Sequence, residues 1–126
     1  MKATELRISN LVSHIEESNV LVIDSINRES VWVNESPDYH YEMDIELISP
    51  IPLTEEWLIK LGFTKDNYHF VLNDKCSVTY EKTGSEKGFW YSNDDTDAYC
   101  YRLKEIKYVH DLQNLYFALY GEELKF

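Results

Sequence analysis

The chain has 126 residues and a mass of 15.0 kDa, with 12 basic and 23 acidic side chains, a net charge of −11 and a pI near 4.7. A hydrophobic fraction of 44% and an aromatic fraction of 14% exclude a disordered chain, and only 4 Gly and 3 Pro exclude collagen-like and low-complexity classes. No apolar run reaches the roughly 18 residues of a membrane span, and the carboxylate excess speaks against binding a phosphate backbone, so neither a membrane nor a nucleic acid is an expected direct partner. The start, Met1 to Ile8, has no apolar stretch followed by a small-residue cleavage site, which reads as a cytoplasmic protein.

Residues 5 to 53 read as short strands. Leu6, Ile8, Leu11 and Val12 open the chain around a turn at Ser9-Asn10, and the β-branched run Val20 to Ile26 suits a buried strand. Asn27 to Ser30 is a polar break before Val31-Trp32-Val33, a hairpin pattern, and Asn34 to Pro37 breaks the chain again. The clearest signal follows: Tyr39, Tyr41, Met43, Ile45 and Leu47 alternate strictly with Asp38, His40, Glu42, Asp44 and Glu46. A period of two puts one set in a core and the other in water, whereas a helical period would scatter both around the axis. These strands predict a small, strongly bent SH3-like β-barrel module over residues 1–53.

Pro50 and Pro52 form a stiff connector. Thr54 is then an N-cap, Glu55 and Glu56 suit the positive end of a helix, Trp57, Leu58 and Leu61 supply its apolar face, and Gly62 stops it. Strands are predicted over Tyr68–Leu72, Cys76–Glu81, Phe89–Ser92 and Ala98–Leu103, and their short connections imply an antiparallel meander. The last element is a helix with Val109, Leu112, Leu115, Tyr116 and Leu119 on one face, widened by Phe117 and Tyr120 and ended by Gly121. It is expected to cover one face of the meander. The fold class is thus α+β, with a barrel-like module over 1–53 and a helix–meander–helix module over 54–126, or one compact unit in which the two share a core.

Three pieces carry a resemblance: Glu5-Leu6-Arg7-Ile8-Ser9-Asn10-Leu11-Val12, the stretch from Pro50 to Phe63, and the stretch from Ile106 to Leu124. In these the sequence resembles a family of short uncharacterised proteins of anaerobic gut bacteria, their phages and integrated elements. Ser9 stands where many members carry Gly. The resemblance implies a cytoplasmic protein linked to mobile DNA, and it brings no activity, cofactor or catalytic residue.

From Glu29 to Ile59 the chain has no Lys or Arg, while Glu29, Glu35, Asp38, Glu42, Asp44, Glu46, Glu55 and Glu56 place eight negative charges there. The acidity is therefore local, and it suits a basic partner. Asp38, His40, Glu42, Asp44 and Glu46 are the candidate docking face. Carboxylates two apart on a strand stand about 6.5–7 Å apart, so two can share a hard cation but a flat row does not converge on one. The same spacing is sparse beside duplex DNA, with one charge per roughly 1.7 Å. Imitation of a nucleic acid, to occupy the groove of a DNA- or RNA-handling protein, is therefore the alternative to a docking face or a merely solvated one.

Other motifs are incomplete. Asn93, Asp95 and Asp97 have the spacing that opens an EF-hand loop, but Ala98 stands where the turn needs Gly and Lys104 where a bidentate Glu belongs, which leaves a polar turn. His14, His40, His69 and His110 are scattered without metal-ligand spacing. Cys76 and Cys100 read as reduced packing residues, with a disulfide between paired strands as the alternative. A nucleophilic pair of either Cys with His69 depends on tertiary placement. Surplus aromatics on the later strands suggest a second contact surface at Trp90, Tyr99 and Tyr101, with core packing the commoner use of such residues. The function read from the sequence is a non-catalytic protein-binding or regulatory module with an unidentified, basic protein partner, no cofactor and no metal.

Overall fold

The structure, a computed structural model, describes residues 1–66, 69–72, 77–81, 88–92, 100–102 and 106–124. Its contacts divide the chain into one unit of Met1–Pro52 with Lys107–Leu124, and a second formed within Leu53–Ile106.

The first unit begins with a 3₁₀ turn at Ala3–Glu5, followed by β1 (Leu11–His14), β2 (Glu17–Ile26), β3 (Ser30–Ser36) and β4 (Tyr39–Asp44). A second 3₁₀ turn, Ile45–Leu47, leads into β5 (Ile48–Ser49). All pairings are antiparallel and the strand order is β4-β3-β2-β1-β5. Val31 and Val33 have no exposed surface, while Trp32 between them is 41% exposed. That alternation gathers Val12, Leu21, Ile23, Val31, Val33, Met43 and Ile48 into one core on the inner face, joined by Leu6.

Two expectations are corrected here. The sheet does not close into a barrel: β5 pairs only through Ser49 and Ile48 with Ser13 and His14, and β4 and β5 are left as opposite edges. Nor does one strand run through Leu47. The Asp44 carboxylate accepts from the Glu46 N–H at 3.0 Å and caps the 3₁₀ turn, which breaks the two-residue period. Ile45 is consequently half-buried and Leu47 is 39% exposed, although the alternation assigned both to the core.

The last helix, α2 (Val109–Tyr120), belongs with this first sheet rather than with the meander it was expected to cover. Its first N–H, from Val109, donates to the Ile51 carbonyl at 2.9 Å, beside a bridge between Pro52 and Tyr108. That bond accounts for the helix starting without a side-chain cap at Tyr108. Val109, Leu112 and Gln113 are buried on one side of α2, which packs against β1. Gln113 is 2% exposed, and its carboxamide accepts from the Leu11 N–H at 2.8 Å and donates to the Ser9 carbonyl at 3.2 Å and the Leu124 carbonyl at 3.3 Å. Asn10, fully buried, donates to Asn114, which donates in turn to the Glu5 carbonyl. Arg7 lays its guanidinium 3.9 Å from the centre of the Phe117 ring and bonds to Asn114 and Glu123. Phe117 was expected to widen the buried stripe; it is 39% exposed and roofed by a cation instead.

In the second unit α1 (Glu55–Lys60) starts at Thr54, whose hydroxyl accepts from the Trp57 N–H at 3.3 Å, and is followed by Gly62 at φ 101°. Its strands are β6 (Thr64–Asp66), β7 (His69–Leu72), β8 (Ser77–Glu81), β9 (Gly88–Ser92) and β10 (Cys100–Arg102), in meander order β10-β9-β8-β7-β6. The sequence reading anticipated the meander but passed over β6, which is only three residues long. Phe70, Tyr80 and Phe89 are cross-strand partners whose rings are in contact across β7, β8 and β9. Among the described residues no helix is long and apolar enough to cross a membrane.

Ser9 is the one described non-glycine residue with positive φ, at 78°. A side chain there costs roughly 1–2 kcal/mol in the left-handed region, partly offset by the greater unfolded freedom of Gly. Ser9→Gly is therefore expected to stabilise the protein by about 1 kcal/mol in urea denaturation. Gln113→Ala strands a buried N–H and removes donors from two carbonyls, and the same measurement should show a loss of about 2–4 kcal/mol.

Candidate functional site

The acidic alternation falls on β4, an edge of the first sheet. Asp38 lies in the turn before it, His40 and Glu42 lie within it, Asp44 ends it, and Glu46 sits in the following 3₁₀ turn; all five are exposed. The structure thus brings His40, Glu42 and Asp44 onto one strand face and puts Asp38 and Glu46 at its two ends. The five do not form one straight row.

Neighbouring strands widen this face. The register pairs Glu42 with Trp32, His40 with Asn34, and Asp44 with Ser30. Directly paired residues share a face, so the exposed Trp32 stands beside Glu42. Glu42 is held in place: its Oε2 accepts from the Ser30 hydroxyl at 3.0 Å and from the Asn27 amide at 3.5 Å. Asp24 lies where the β2–β3 register slips between Ile23 and Ser25, and its Oδ2 is 3.6 Å from His40 Nδ1. Asp24 follows the buried Leu21 and Ile23 in the two-residue alternation of β2, so its carboxylate falls on this same outer face.

The far end of β4 carries a second acidic and aromatic group. The Tyr39 and Tyr41 rings are 5.2 Å apart, and Tyr39 is 56% exposed although the alternation assigned it to the core. Asn19 donates to Glu35 at 2.9 Å and to Glu17 at 3.5 Å. Burial raises the Tyr41 phenol above its ordinary pKa, and the charges of Glu35 and Glu17 and the neighbouring Tyr39 add to the rise.

The remaining candidates are placed less fully. Tyr101 pairs with Tyr91 and Arg102 with Trp90, so Trp90 and Tyr101 occupy alternate positions of the ladder rather than facing ones. Tyr99, Cys76 and the Asn93, Asp95 and Asp97 spacing lie outside the described residues. Among the described residues no group of three or more His, Cys, Asp or Glu is arranged to hold a metal. A small open cleft of about 200 Å³ in the second unit is lined by Leu53, Thr54, Leu58, Tyr80 and Phe89, among others. His110 in the first turn of α2 is 3% exposed, with its ring parallel to that of Tyr108 and its Nε2 3.5 Å from Asp111.

Sequence reasoning missed the buried polar set of Asn10 and Gln113. The available signal was that Gln113 falls four residues after Val109, on the apolar stripe of α2, where a polar side chain needs a partner. Comparison with known protein families, with characterised proteins and with solved structures finds no match to the chain.

The Tyr41 shift has a defined sign. A phenol with a raised folded pKa keeps its proton longer in the folded state, so its contribution is fully present below the unfolded value of about 10 and is lost as pH rises through the higher folded value. Tyr41→Phe is expected to flatten part of the alkaline decline in stability relative to wild type and to remove a late-titrating phenol from the ultraviolet titration. Added salt should bring that phenol's pKa back toward the ordinary value by screening Glu35 and Glu17.

Proposed function

We propose that the protein is a non-catalytic binding module that takes a basic segment of another protein on the outer face of β4. The observation that carries this reading is an exposed strand face bearing Glu42 and Asp44, widened by Asp24 and by Glu46, with Glu42, Asp44 and Glu46 in the 31-residue stretch from Glu29 to Ile59 that has no Lys or Arg. An acidic face without interspersed cations attracts a basic chain over a Debye length and speeds its encounter. Trp32, exposed in register with Glu42, offers a flat aromatic surface on which a Lys or Arg stem packs. The connectivity of the first unit, a four-stranded meander with a 3₁₀ turn before a fifth strand that returns to β1, supports reading it as an open variant of the small SH3-like barrels.

The test is charge reversal at Glu42, Asp44 and Glu46 to Lys, with binding of a lysine-rich peptide followed by calorimetry. Wild type should bind at low salt and lose affinity steeply as ionic strength rises, and the triple variant should bind at least about tenfold more weakly. A triple variant that folds and binds the peptide equally well makes the strand only a wet face.

A further inference from the structure

The free edge of β4 and its acidic side chains are in phase, and the hydrogen bonds show why. The Asn27 N–H donates to the Ser30 carbonyl at 2.8 Å, so the main-chain groups of Ser30 point toward β2. Groups on a strand alternate in direction, so those of Val31 and Val33 point toward β4. On the β4 side the Ile45 N–H donates to the Glu29 carbonyl at 3.0 Å, which puts Ile45, Met43 and Tyr41 in the set bonded to β3. The main-chain groups of His40 and Glu42, and the N–H of Asp44, therefore point away from the sheet. They are the residues whose side chains form the acidic face. Among the described residues β3 is the only strand paired with β4.

We infer that the basic partner binds as an added sixth strand along β4, with Lys or Arg at every second position and apolar residues between them. This rests on the basic-partner reading above and specifies its geometry. A strand hydrogen-bonded to His40, Glu42 and Asp44 has its own paired residues directly opposite them, on the same face and about 4.5–5.5 Å away between Cβ atoms. Basic side chains at those positions meet Glu42 and Asp44. The intervening side chains fall on the inner face, beside half-buried Tyr41 and Ile45 and the Met43 that belongs to the core. Main-chain bonds then give affinity while the alternating side chains give selectivity. A second copy of this chain does not suit the edge, because its Glu42 and Asp44 place like charges across the new ladder.

The experiment uses the full chain and three acetylated, amidated peptides of equal charge. The first alternates Lys with Val or Thr, the second has the same composition with its lysines contiguous, and the third is the first with N-methyl groups on the amides facing β4. The alternating peptide should bind best and slow hydrogen exchange at the His40, Glu42 and Asp44 amides, with the Tyr41 and Met43 amides much less affected. Loss of even one main-chain bond should weaken the N-methylated peptide about tenfold. If the contiguous and N-methylated peptides bind as well as the alternating one, or the edge amides exchange unchanged in its complex, strand addition is wrong while docking of a basic segment stands. If none of the three binds at low salt, both readings fail.

Discussion

Inside the first unit the carboxamide of Gln113 serves main-chain groups from three separate segments: the start of β1, the turn before it, and the tail after α2. Each of those groups lies at the margin of a regular element, where no ladder or helix bond is available to it. A buried side chain with both an acceptor and a two-hydrogen donor is one of the few groups that can satisfy such a set. The helix is thereby fixed in rotation about its own axis as well as in position. A stripe of leucines alone does not fix that rotation, since apolar contact is non-directional.

Asn10, Asn114, Arg7 and Glu123 extend the same arrangement toward the surface. Arg7 covers the Phe117 ring while its guanidinium reaches Asn114 and Glu123, so one side chain shields apolar area and bonds two polar partners. The strain of a left-handed Ser9 belongs to this junction as well. Its N–H donates to the Ile23 carbonyl at 2.8 Å and its carbonyl accepts from Gln113, so two bonds hold the residue where its φ is unfavourable.

The acidic edge is organised by a different constraint. An edge strand exposes unpaired donors and acceptors, and carboxylates along it forbid pairing with another copy of the same chain. That repulsion is selective by sign. Glu42, oriented by Ser30 and Asn27, remains favourable toward a cationic strand. On the proposed reading, the charge pattern that disfavours pairing with a second copy is the same one that attracts a basic chain.

Much of the local structure was legible from the residues alone. Thr54 and Gly62 bracket α1, Gly121 takes the left-handed cap of α2, and Val31-Trp32-Val33 pairs with the Val20–Ile26 run as the hairpin pattern implied. These features are written in neighbouring residues, whose propensities and periodicities act over a few positions. The end of β4 was not legible, because an Asp that continues a strand pattern and an Asp that caps a 3₁₀ turn are the same residue until its carboxylate finds the Glu46 N–H. The placement of α2 was not legible either: its apolar face fits any sheet, and the bonds that select the first one, from Gln113, Asn114 and the Val109 N–H, all run to residues more than 50 positions earlier. The sequence by itself determined which strand is acidic and where the helices stop. The tertiary structure alone decided which sheet α2 joins and that β4 is left as an edge, because both depend on hydrogen bonds between groups far apart in the chain.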